Sequence, residues 1–142
     1  MTSLRDRVRP LPAGVLAAMQ KDAKSAIEDL RATYLTVSRE QIAHLQQLIG
    51  RAAPHDEAWQ TEIYRVAHDL KGQGSTFNYD LVTRIAAGLC HLIKDGGTCE
   101  DAKFARRAIA HCQALQVVLD KDIRGLGGEH GAALLKILSI EE

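Results

Sequence analysis

The stretch Val66-Ala67-His68-Asp69-Leu70-Lys71-Gly72-Gln73-Gly74-Ser75-Thr76-Phe77 decides how the rest of the chain is read. Trp59, Ile63, Val66, Ala67 and Leu70 recur at steps of three and four, which predicts an amphipathic helix over about Asp56 to Phe77. Asp56 is placed to cap its N-terminus, and Glu57 sets negative charge in the first turn, where the helix dipole favours it. At about 100° per residue, His68 is turned off the apolar stripe. Its neighbours on the helix surface are Tyr64, Arg65, Lys71, Gly72 and Ser75, three, four or seven positions away.

That face has an unusual composition. Lys71 lies one turn beyond His68, and Gly72 follows it without a side chain. A glycine inside a helix costs about 1 kcal/mol relative to alanine, so a purely structural helix avoids it. Gly74 repeats the cost two residues later. The glycines read as a clearing beside His68 for something bulky and anionic. A phosphoryl group on an imidazole nitrogen needs such space, a nearby cation, and a ring that titrates near neutral pH.

The pattern His68-x-x-Lys71-Gly72, followed by small residues and an aromatic, resembles the histidine phosphotransfer (HPt) domains of bacterial phosphorelays. The resemblance implies an all-α fold, an antiparallel up-down four-helix bundle, here with a short N-terminal helix and a short C-terminal helix. It implies that His68 takes a phosphoryl group from a receiver-domain aspartate and passes it to another receiver, without ATP-dependent kinase activity of its own. Lys71 would balance charge on the phosphoryl oxygens, Gly72 would admit the group, and Ser75 would bond an oxygen or simply stay small. Tyr64, Arg65 and Gln73 would meet the partner. The family often orients the histidine ring with a glutamine from the following helix. Cys90 stands at that offset with His91 beside it, and Arg84 and Gln73 are the other candidates for the task. No cofactor is expected on this chain; the divalent cation belongs to the receiver. The expected partners are response-regulator receivers, including that of a hybrid histidine kinase, and a monomer is expected.

Composition sets outer bounds. The 142 residues suit one domain with a real core. Eighteen basic and eighteen acidic residues give a formal charge of zero, so no net field draws the chain to nucleic acid or anionic lipid. There is no apolar run long enough to span a membrane and no secretory leader, which points to the cytoplasm. Three cysteines, Cys90, Cys99 and Cys112, have no paired spacing and do not form a disulfide framework.

Outward from the central helix, residues 1–12 read as a flexible basic arm, with Arg5, Arg7 and Arg9 beside Pro10 and Pro12, and residues 13–142 as the bundle domain. Ala13 to Gln20 forms a short helix. A long helix follows from Asp22 or Ser25, with Ile27, Leu30, Tyr34, Leu45, Leu48 and Ile49 as its core stripe. Thr36-Val37-Ser38 weakens its middle, with a restart at Ser38. Gly50 closes it. Asn78 can take the left-handed turn after the central helix. Asp80 caps a third helix along Leu81, Val82, Ile85, Leu89 and Leu92, ended by Asp95-Gly96-Gly97. Thr98 caps a fourth, running to about Arg124 along Ala102, Ala105, Ile109, Cys112, Leu115, Val118 and Leu119. Gly125, Gly127 and Gly128 break it, and Ala132 to Ile140 forms a last short helix packed back on the bundle.

Two other functions compete. A metal-binding bundle would use Cys90-His91 and His111-Cys112, but adjacent helical residues diverge by about 100° and each pair offers one inward ligand at best. An interaction module without phosphoryl chemistry would share the fold, yet would need neither Lys71 nor Gly72 beside a histidine.

Overall fold

The computed structural model describes residues 13–52, 54–95 and 101–138. By their contacts they fall into two units, Met1–Thr33 and Tyr34–Glu142. Among the described residues the fold is all-α: α1 Ala13–Ile49, α2 Glu57–Gly74, a 3-10 turn Ser75–Phe77, α3 Asp80–Lys94, α4 Ala102–Asp120 and α5 Gly128–Ile137. The predicted basic arm at 1–12, and with it Gly96, Gly97, Thr98, Cys99 and Ile140, lies outside the described residues.

Helix α1 corrects the sequence reading. It is continuous through Thr36-Val37-Ser38, and Ala13 to Gln20, expected as a separate short helix, is part of it. The β-branched and hydroxyl residues there disfavour helix by only tenths of a kcal/mol each, and tertiary burial outweighs that. Ser38 is fully buried, and Tyr34 stacks on Phe77 with ring centroids 4.6 Å apart and on Tyr79 at 5.7 Å. Farther up, extending an existing helix into Ala-rich sequence avoids a new nucleation step. Ile42, Leu45, Leu48 and Ile49 are core residues, whereas Ile27 and Leu30, expected on the same stripe, are exposed.

Helix α2 forms as its pattern predicts. The Asp56 carboxylate accepts from the Trp59 backbone N–H at 2.9 Å, and all five stripe residues are buried. The Trp59 indole N–H donates to the Leu48 carbonyl at 2.7 Å, so burying the largest side chain leaves its polar atom satisfied. Asn78 closes the segment at φ 65°. Asp80 is the first residue of α3, not its cap: Tyr79 holds the cap position, and its hydroxyl donates to Asp122 instead of capping the helix. The loop after α4 serves that end instead, as the Leu81 N–H donates to the Gly125 carbonyl at 3.2 Å and the Gly125 N–H to the Asn78 carbonyl at 2.6 Å.

Helix α2 packs on α3, and α3 on α4. Asp101 caps α4 by accepting from the Lys103 N–H at 3.0 Å. Helix α4 stops at Asp120, short of Arg124, and Asp122 turns with φ 51°. Ile109 is exposed, and Phe104, Ala108 and His111 join the buried face instead. Helix α5 starts at Gly128, earlier than predicted, after a left-handed Gly127. Leu135 and Leu138 pack into the core and Ile137 faces out.

Candidate functional site

The burial of Val66, Ala67 and Leu70 fixes the rotation of α2, and with it the outward face. His68, Lys71, Gly72 and Ser75 are exposed there, and Tyr64 is half-buried at the edge. The Tyr64 and His68 rings lie 5.9 Å apart between centroids, inclined by 29°. No hydrogen bond reaches the His68 ring from the described residues. Cys90, at the offset where the family often has its glutamine, is buried, and a thiol is in any case a weak donor. Burial pushes its thiol up, against the pull of the Lys71 and Lys94 charges.

Those two cations come from different helices. Lys71 is one turn beyond His68 on α2, whereas Lys94 arrives from the end of α3. The Lys94 ammonium stands 5.3 Å from the Tyr64 ring centroid, a cation–π arrangement. Neither lysine has a carboxylate partner among the described residues. The sequence reading missed Lys94. A signal for it existed: if α2 and α3 form a tight hairpin about Asn78-Tyr79, position 94 comes level with position 64. A shallow cavity of about 290 Å³ runs along Gln60, Thr61, Tyr64, Ile93 and Lys94 beside this edge.

The two glycines differ. A Cβ on Gly72 would meet nothing within 4 Å, so this position is an open clearing next to Lys71. Gly74 is buried, and a Cβ there would stand 2.5 Å from Thr83 Oγ1 and 2.9 Å from the Thr83 backbone nitrogen. Gly74 is therefore a packing residue that lets α3 approach α2, and is not part of the clearing.

Thr83, unmarked in the sequence reading, ties the end of α2 to α3. Its hydroxyl donates to the Lys71 carbonyl at 3.0 Å and accepts from the Ser75 N–H at 3.0 Å and the Ser75 hydroxyl at 3.2 Å. That uses its one donor and both acceptor sites. Ser75 is thus held by Thr83 while remaining exposed. Arg65 is engaged as well. Its guanidinium bonds Glu62 at 2.6 and 3.1 Å and Asp69 at 3.3 Å. The Arg65 guanidinium, and after it the His44 ring, hold the Glu62 carboxyl down at about 2. Gln73 is exposed, one residue past the clearing. Among the described residues no three His, Cys, Asp or Glu side chains converge as a metal site would require.

Residues 29–124 match the family model of the Hpt domain. The match spans the second half of α1 through α4, and the chain belongs to the Hpt domain family. Comparison with curated proteins finds no match, and neither does comparison with solved structures. Hpt domains carry out histidine phosphotransfer in two-component signalling, interact with receiver domains and have no kinase activity of their own. No helix of the described residues is long and apolar enough to cross a membrane.

Proposed function

We propose that His68 is the phosphoryl-carrying residue of a phosphorelay intermediate. It accepts the group from a receiver-domain aspartate and passes it to a second receiver. The observation that carries the reading is an exposed imidazole beside a side-chain-free Gly72, with Lys71 on its own helix and Lys94 on the next. The neutral ring attacks phosphorus through its outer nitrogen, a nitrogen–phosphorus bond forms, and the bond to the aspartyl oxygen breaks. The divalent cation that offsets charge on the phosphoryl oxygens is brought by the receiver. Lys71 and Lys94 add positive charge from this side.

Tyr64 and the groove beside Lys94 form the apolar part of the docking surface, with Arg65 and Gln73 at its rim. The contacts Leu48 to Trp59, Tyr64 to Lys94 and Arg39 to Asp120 support an up-down arrangement of α1 to α4 in which α5 is the short C-terminal helix. Exchange with receivers places the chain in their compartment, the cytoplasm.

The test is transfer from a purified, radiolabelled receiver. Wild-type protein takes up label that is acid-labile and base-stable. His68→Gln takes up none, while its helical signal and melting temperature stay unchanged. Label on His68→Gln would refute the assignment.

A further inference from the structure

His68 is exposed, and no hydrogen bond from the described residues holds its ring. Cys90, His91, Arg84 and Gln73 are the sequence candidates for orienting it, and none of them bonds it. An exposed imidazole with free torsions samples several rotamers, whereas attack on phosphorus needs one. Among the described residues the ring has one aromatic neighbour, Tyr64, with centroids 5.9 Å apart and planes inclined by 29°. That separation lies within the range of offset-stacked pairs.

The helix itself brings the two rings together. Side chains of an α-helix lean toward its N-terminus, so His68 leans back over the turn that carries Tyr64. A side chain at position 72 would lean back over His68 in the same way. Gly72 has none, and a Cβ there would meet nothing within 4 Å. The imidazole is therefore backed on its N-terminal side and open on its C-terminal side. Tyr64 is a firm backing. It is half-buried and packs against the core, which restricts its own rotamer. The Lys94 ammonium, from α3, stands 5.3 Å from its ring centroid and holds it from a second helix. A face contact also leaves both imidazole nitrogens unused, because their lone pair and N–H lie in the plane of the ring.

We propose that Tyr64 is a positioning residue for His68, holding the imidazole in one rotamer by stacking rather than through a hydrogen bond to a ring nitrogen. This role rests on the reading of His68 as the phosphoryl carrier. It is separate from the place of Tyr64 in the docking surface, because it acts on the ring before any receiver arrives. An aromatic pair of this kind favours the stacked rotamer by about three- to tenfold.

The test removes the receiver. Phosphoramidate is a small donor whose phosphoryl group moves to an imidazole nitrogen as ammonia leaves, so no docking surface takes part. Tyr64→Leu keeps apolar bulk without the flat ring, and Tyr64→Phe keeps the ring without the hydroxyl. With circular dichroism alike in all three proteins, Tyr64→Leu should take label from phosphoramidate about three- to tenfold more slowly than wild type. Tyr64→Phe should rescue most of the rate. NMR of the same proteins reads the imidazole directly. The His68 ring protons should show a ring-current shift and a single χ1 rotamer in wild type and Tyr64→Phe, and lose both in Tyr64→Leu. Labelling of Tyr64→Leu at the wild-type rate overturns the proposal, as does a failed rescue by Tyr64→Phe or a His68 rotamer unchanged in Tyr64→Leu. A wild-type ring locked in the Nδ1–H tautomer also overturns it, since that is the mark of an orienting hydrogen bond. Each of these results leaves the carrier reading standing. A wild type that takes label from neither phosphoramidate nor a receiver overturns that reading, and this proposal with it.

Discussion

The Lys94 ammonium lies 5.3 Å from the centroid of the Tyr64 ring. Tyr64 in turn stacks beside His68, so a residue of α3 brings charge to the edge of a site built on α2. If that charge attracts the incoming phosphoryl oxygens, Lys94→Gln slows transfer from a phosphorylated receiver by about tenfold, the equivalent of about 1.4 kcal/mol. Lys94→Arg keeps most of the rate. Rapid-quench transfer assays at low and high salt check this, and high salt narrows the gap between wild type and Lys94→Gln.

Gly72 and Gly74 respond in opposite ways to alanine. Gly72→Ala meets no neighbour and removes a helix-interior glycine, so it raises stability by about 1 kcal/mol. Gly74→Ala drives a methyl into Thr83 and lowers it by about 1 to 3 kcal/mol. Urea unfolding of both variants measures the contrast.

Gly72→Leu separates fold from function. A Cβ at this position meets nothing within 4 Å, so the melting temperature does not fall. Receiver-dependent labelling of His68 falls by at least about a hundredfold if the clearing admits the phosphoryl group. Labelling at the wild-type rate would remove the functional reason for this glycine.

Thr83→Val keeps the shape and deletes the hydroxyl that joins Lys71 and Ser75. The Ser75 N–H and hydroxyl lose their acceptor, at a cost of about 1 to 2 kcal/mol. Amide hydrogen exchange at Ser75 should accelerate with little change at Trp59, on the far end of α2.

His111 predicts an acid sensitivity. Its ring is buried, and its Nδ1–H donates to the Arg107 carbonyl at 2.6 Å. Burial pushes its pKa below the ordinary 6.5. The unfolded chain therefore binds a proton that the folded chain refuses. This contribution to stability is full above pH about 6.5 and is lost as pH falls below it. The melting temperature should drop between pH 7.5 and 5.5, and His111→Gln should flatten that slope.

Much of α2 was legible in the sequence, because local rules govern it. An apolar period of three and four, an Asp at the cap and a histidine off the stripe each act within one or two turns of helix. So do Lys71 and Gly72, and the same face carried the family resemblance. What lay between helices was not legible. The path of α1 through Thr36-Val37-Ser38 was settled by Tyr34 stacking against Phe77 and Tyr79, residues more than forty positions away. The separate parts played by Gly72 and Gly74 depended on where Thr83 of α3 comes to rest. Lys94 at the edge of the site depended on the register of α3 against α2, which no single helix encodes. The sequence by itself determined which residues face outward on α2, since backbone periodicity does that within one regular helix. Only the tertiary structure decided which outward residues meet, because helix packing sums many weak contacts across the whole core, and no local pattern records that sum.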